Sequence, residues 1–170
     1  GLSLSINKEG TIVAIGGRYH SNNKGHVRVF QYSNNSWTQL GDDIDGEAIN
    51  DKSGQSISLS ADGSVVAIGG YKNDANGADS GHVRIYQNIN NVWEKIGEDI
   101  DGESAEDLSG FSVNLSSDGS IVAIGGYKND GNGADSGHVR IYQNVNDNWE
   151  KVGEDIDGEA IGDQSGSVSL

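Results

Sequence analysis

Apolar residues in this chain fall in short, evenly spaced runs, and the runs recur. In residues 54–109 the first run, Ser56-Ile57-Ser58-Leu59-Ser60, alternates small polar with apolar side chains, the period of a half-buried strand. Asp62-Gly63 follows, a pair favoured in tight hairpin turns where both positions take positive φ. Val65-Val66-Ala67-Ile68 is continuously apolar and predicts a strand buried on both faces, with Gly69-Gly70 ending it. A polar stretch over 71–80 leads into His82-Val83-Arg84-Ile85-Tyr86, which alternates again. Asn88-Ile89-Asn90-Asn91 predicts a turn and Val92-Trp93-Glu94-Lys95-Ile96 a fourth strand, before an acidic linker over 97–109. No segment has helical periodicity.

The whole unit repeats. Residues 110–165 align with 54–109 without a gap, 42 of 56 positions being identical. Residues 1–53 match the same unit but lack three residues between Gly17 and Gly25, and 166–170 begin it again. The expected organisation is therefore blade 1 over 1–53, blade 2 over 54–109, blade 3 over 110–165 and the start of a fourth repeat at 166–170. Four short antiparallel strands per repeat, joined by short hairpins and one longer linker, predict an all-β fold of β-propeller blades. Propellers close with roughly 4–8 blades. The expected partners are thus further blades of the same assembly, a second chain completing the ring, or another protein. The absent initial methionine and signal peptide fit an internal piece of a longer or processed protein.

The motifs Ser-Gly-x-Ser-(Val/Ile)-x-Leu-Ser-x-Asp-Gly-Ser, Val-Ala-Ile-Gly-Gly and Ser-Gly-His-Val-Arg-Ile-Tyr-Gln resemble, along the whole chain, the FG-GAP repeat. That family supplies the blades of the integrin α-subunit propeller and of many bacterial, algal and viral surface proteins. The resemblance implies an extracellular or surface-exposed, non-catalytic module for protein binding, adhesion or structural assembly. There are departures: Phe111 alone supplies an aromatic at the Phe-Gly position, and the Gly-Ala-Pro part is Gly69-Gly70-Tyr71. The family's calcium loop lies between the first two strands, where this chain has only Asp62-Gly63 and Asp118-Gly119. So short a turn cannot supply the 6–8 oxygens calcium takes, and that site is not carried over. A three-fold β-trefoil lectin, with sugar on the tryptophans or loop Asp and Asn, is the alternative; the tail from Gly166 counts against it.

Composition narrows the chemistry. There is no cysteine, so no disulfide, thiolate site or thiol nucleophile. The net charge of −15, from 26 acidic and 11 basic residues, repels nucleic acid and anionic lipid. No apolar run reaches the ~18 residues that span a bilayer. Nucleophile elbows, Walker loops and His-Glu-x-x-His are absent, so no enzyme is expected.

In four antiparallel strands the second-to-third loop and the fourth-to-first linker share one end of the blade. That end should be acidic, with Asp74 and Asp79 in one segment and six acidic residues between Glu98 and Asp107 in the other. Its sharpest cluster is Asp74, Asn76 and Asp79 around Gly77, repeated at Asp130, Asn132 and Asp135 around Gly133. Alternating oxygens about a glycine turn suit calcium; the same residues also stabilise turns unaided. Asp-Ile-Asp-Gly-Glu at Asp43, Asp99 and Asp155 is expected to be a blade-to-blade turn. His26, His82 and His138, each two residues before an arginine, are expected to pair with neighbours between blades, because a catalytic group is needed once and these occur in every copy. Trp37, Trp93 and Trp149 should each bury a ring per blade. Asn34 and Asn114 open N-glycosylation sequons. An incomplete ring is expected to self-associate through its open sheet edges.

Overall fold

Each repeat forms its own antiparallel sheet in the computed structural model, which describes residues 3–169. Gly1, Leu2 and Leu170, at the ends of the first and fourth repeat units, lie outside the described residues. The first sheet holds β1 (Ser3–Ile6), β2 (Ile12–Gly16), β3 (His26–Ser33), β4 (Ser36–Gln39) and β5 (Ile44–Asp45). The second holds β6 (Ser56–Leu59), β7 (Val65–Gly70), β8 (His82–Ile89), β9 (Val92–Lys95) and β10 (Ile100–Asp101). The third holds β11 (Ser112–Leu115), β12 (Ile121–Gly126), β13 (His138–Val145), β14 (Asn148–Lys151) and β15 (Ile156–Asp157).

Sequential strands pair, but the outer edge is divided. β9 pairs with the outer half of β8, Ile89 opposite Val92 and Tyr86 opposite Lys95. β10 pairs with its inner half, Val83 opposite Ile100 and His82 opposite Asp101. The Asp-Ile-Asp-Gly-Glu motif is therefore a short fifth strand and not a free turn. Its isoleucine enters the core in the first two repeats, at Ile44 and Ile100.

Two local expectations are corrected. Gly69-Gly70 continues β7, with Gly69 opposite Ser56 and Val83 and Gly70 opposite His82. Glycine is required there because a Cβ on Gly69 would collide with the Gly110 carbonyl, and one on Gly70 would reach His82 Nε2 at 2.7 Å. At the Asp62-Gly63 turn only Gly63 has positive φ (76°); Asp62 instead accepts hydrogen bonds from Ser60 Oγ (2.7 Å) and the Ser64 amide (2.9 Å). Two-residue turns with both positions at positive φ occur on the outer hairpins, as at Asn90 (53°) and Asn91 (67°). The shortened first-copy loop holds one helical turn at His20–Asn23, with left-handed φ at Ser21 and Asn22.

The cores lie between sheets. Val66 and Ile68 of β7 pack with Ala14, Val27, Val29 and Ile44 of the first repeat. Val65 and Ala67, on the other face, join Val113, Leu115, Val122 and Ile124 of the third. Successive side chains of β7 thus serve opposite neighbours, which is why its run is continuously apolar. Among the described residues no core cluster joins the first sheet to the third. This row of separate stacked sheets replaces the trefoil alternative.

Polar contacts repeat at both interfaces. Ser3 Oγ donates to the Gly54 carbonyl (2.6 Å) and Ser56 Oγ to the Gly110 carbonyl (2.7 Å). Trp93 Nε1 donates to the Leu40 carbonyl (2.8 Å) and Trp149 Nε1 to that of Ile96 (3.0 Å). Among the described residues no sheet packs before that of Trp37, which is 45% exposed. Losing a buried hydrogen bond costs on the order of 1 kcal/mol, and more when the partner is left unsatisfied. Trp93→Phe and Trp149→Phe should therefore each lower the urea midpoint by the equivalent of about 1–2 kcal/mol. Trp37→Phe should leave it within about 0.5 kcal/mol of the parent. Equal effects at the three positions would show that the indole N–H bonds do not couple the sheets.

Candidate functional site

The loop before the third strand and the linker after the fourth meet at one end of each sheet. Asn76 Nδ2 donates to the carbonyls of Gly102 (2.8 Å) and Glu103 (3.0 Å), and Asn132 Nδ2 repeats this with Gly158 (2.9 Å) and Glu159 (3.0 Å). Asp74 Oδ1 and Asp130 Oδ1 accept from the amides of Asp79 and Asp135, each at 2.8 Å. Asp79 is ion-paired with Lys72. The side chains of Asp74, Asn76 and Asp79 thus turn to three different partners, and Asn132 and Asp130 follow the same pattern. Asp79 and Asp135 take positive φ, 54° and 51°.

A second set of polar side chains spans the junction between sheets. Asp51 and Asp107 are buried, each accepting from an amide of its own linker (Ala48 at 2.8 Å, Ser104 at 2.9 Å) and from an asparagine of the next repeat (Asn73 at 3.2 Å, Asn129 at 3.1 Å). Arg84 Nη2 donates to the Asp45 carbonyl (2.7 Å) and Arg140 Nη2 to that of Asp101 (2.8 Å). Between these anchors sit the histidines. His82 is 1% exposed; its Nδ1 lies 3.3 Å from Asp99 Oδ2 and 4.0 Å from Oε2 of Glu47, which belongs to the preceding repeat. His138 is fully buried, with Nδ1 3.8 Å from Asp155 Oδ2 and 4.0 Å from Glu103 Oε2. Neither ring nitrogen of either histidine makes a well-aligned hydrogen bond. His26 in the first copy lies 3.3 Å from Asp43 and stacks on His20, and no glutamate pairs with it among the described residues.

Beside His138 opens a cleft of about 390 Å³ between the second and third repeats. Glu103, Asp107, Asp130, Asp155 and Asp157 line it with Asn129 and no lysine or arginine. Lys151 reaches Asp155 and Glu103 from outside this lining, and Arg140 Nη1 lies 3.8 Å from Glu103. Asp130, Asp155 and Asp157 were visible in the sequence as loop acids. Their convergence with Glu103 and His138 was not, because the linker and the histidine strand lie far apart along the chain.

Charge states follow from these contacts. Burial, with Arg140 beside it, holds His138 below the ordinary imidazole range. Burial pushes Asp99 up, but the adjacent His82 ring and the hydrogen-bonded Lys95 ammonium outweigh it and keep the carboxyl well below the usual range. Asn34 lies exposed in an outer hairpin turn at φ 50°, whereas Asn114 is in β11 with its side chain 3.5 Å from Ser58 Oγ.

No family model matches the chain, and no curated protein does. Solved structures do. A "putative 6-phosphogluconolactonase" from Bacteroides uniformis superposes with a TM-score of 0.62 at 15% identity over 91% of this chain. Kuenenia stuttgartiensis hydrazine synthase superposes with a TM-score of 0.57 at 10% identity over 95%. The chain spans 40% and 36% of their lengths. This likeness concerns the fold alone, and it corrects the expectation of a non-catalytic surface module for adhesion, protein binding or assembly: the architecture that prompted it is shared with proteins bearing enzyme names. The lectin alternative assumed a trefoil, which the three separate stacked sheets replace.

The histidines and carboxylates set a pH dependence. His138 stays neutral in the fold while the unfolded chain takes up a proton near pH 6.5, so stability is full above that pH and declines below it. Asp99 adds a second loss as pH falls through its ordinary value near 3.8, because the unfolded carboxylate protonates first. Urea midpoints should therefore fall from pH 7.5 to 5.5 and again below pH 4. In His138→Gln the first decline should shrink; an unchanged profile would assign it elsewhere.

Proposed function

We propose that the three sheets are consecutive blades of a β-propeller completed by further copies of the same unit, and that the acidic cleft between the second and third of them binds cations. Three features support the ring. Both sheet–sheet interfaces use the same contacts at equivalent positions. The end faces bear the residues that those interfaces bury: Leu4 and Ile6 are exposed where their equivalents Ile57 and Leu59 pack on the first sheet, and Val152 and Ile156 where Ile96 and Ile100 are buried. Among the described residues, large exposed apolar side chains accordingly number six in the first repeat, five in the third and two in the second. The FG-GAP resemblance agrees with the same reading.

The observation that carries cation binding is the cleft with five carboxylates and no basic residue in its lining. A hard cation such as calcium takes several such oxygens. A ligand that binds only the folded chain stabilises it by about 2.7 kcal/mol at a hundred times its Kd. Melting curves in sodium chloride and calcium chloride matched for ionic strength separate binding from screening. Calcium should raise the midpoint by several degrees beyond sodium, and Asp130→Asn with Asp157→Asn should remove most of that increment. Identical midpoints in the two salts would leave screening alone and end the proposal.

A further inference from the structure

Two histidines lie almost wholly inside the protein beside paired carboxylates, and their ring nitrogens lack aligned hydrogen bonds. A buried polar group without a partner calls for an explanation, and an ion is one. Both histidines are framed alike: a glutamate from the preceding linker and an aspartate from their own, with Nδ1 facing both oxygens. The three ligand atoms of each group lie within 4.8 Å of one another.

We propose that Glu47, His82 and Asp99, and equally Glu103, His138 and Asp155, each bind one zinc-type transition-metal ion at a sheet–sheet junction. The inference deepens the cation-binding reading by naming a metal class at the junctions, one of which shares Glu103 and Asp155 with the cleft.

The distances fit. Zinc bonds nitrogen and oxygen at about 2.0–2.2 Å, so neighbouring ligands of a tetrahedral site stand roughly 3.3–3.6 Å apart. The separations from Nδ1 are 3.3 and 4.0 Å in one group and 3.8 and 4.0 Å in the other. A few tenths of an ångström of side-chain movement brings the oxygens into range, and the glutamates are half exposed. Imidazole favours zinc and its neighbours over calcium, which takes oxygen. Three protein ligands leave a fourth position for water or a substrate.

Cations already nearby compete. Lys95 Nζ holds the other oxygen of Asp99 at 2.6 Å, and Arg84 Nη1 lies 3.5 Å from Glu47 Oε1. Lys95 is solvent-accessible on a flexible stem and can swing into water, whereas Arg84 is fixed by its bond to the Asp45 carbonyl. Gly70 and Gly126 keep each ring in place, since a Cβ there would press on Nε2 at 2.7 and 3.0 Å. Among the described residues no glutamate faces His26 as Glu47 faces His82; its neighbour His20 offers a surface alternative that a test must silence.

The test titrates zinc into the His20→Gln protein by calorimetry, with cobalt as a spectroscopic stand-in. Two ions per chain are expected, with visible cobalt bands typical of four-coordination. His82→Gln and His138→Gln should each remove one ion and together both. Because changing a buried histidine can disturb folding, Glu47→Gln and Glu103→Gln provide a second set at half-exposed positions. Each should weaken its own site at least tenfold while the metal-free melting curve stays near the parent's. Absence of zinc binding, or a stoichiometry unchanged in the double histidine variant, would overturn the proposal. The outcome is separable from the calcium reading: Asp130→Asn with Asp157→Asn should remove most of the calcium increment and leave the zinc count at two.

Discussion

No sheet in this chain can bury its own faces. A four- or five-stranded sheet alone exposes two broad sides, and the apolar residues of β7 point to both. The chain meets this constraint by stacking, so that each core is assembled from two repeats. Burial, the bonds that bridge sheets and the repeated glycines all follow. Gly69 lacks a side chain because the backbone of the next repeat, at Gly110, lies against it. Trp93 is half buried because a preceding sheet offers the Leu40 carbonyl, and Trp37 is exposed because none does.

The same geometry generates the candidate sites. A sheet–sheet junction brings the linker of one repeat over the third strand of the next, placing Glu47 beside His82 and Glu103 beside His138. A single repeat has the histidine and its own aspartate but not the glutamate. The polar clusters are therefore properties of junctions: His26, with no junction to an earlier sheet among the described residues, has Asp43 and an exposed neighbouring histidine instead. A residue recurring in every copy is consistent with a structural role, and here the repetition also yields a recurring cluster of metal-ligand types.

Strand-forming runs, the 56-residue period, the outer Asn-Asn turns and the acidic loop end were legible in the sequence, because each depends on residues close along the chain. Val65-Val66-Ala67-Ile68 announced a strand buried on both faces, and it is one. The fifth strand at Ile100–Asp101 was not legible: its two residues lie within a polar linker and gain strand geometry only by pairing with His82 and Val83. Gly69-Gly70 looked like a strand end because glycine usually marks one, whereas here it permits close approach of backbone and ring.

For this protein, local sequence determined the number of sheets, the order of the four main strands in each and the charge of the loop end, since hydrophobic period and turn chemistry act over a few residues. Tertiary structure alone decided which faces meet and which side chains converge. Glu103 and His138 are 35 positions apart and become neighbours only when two sheets stack, the point at which burial also strips the histidine of water.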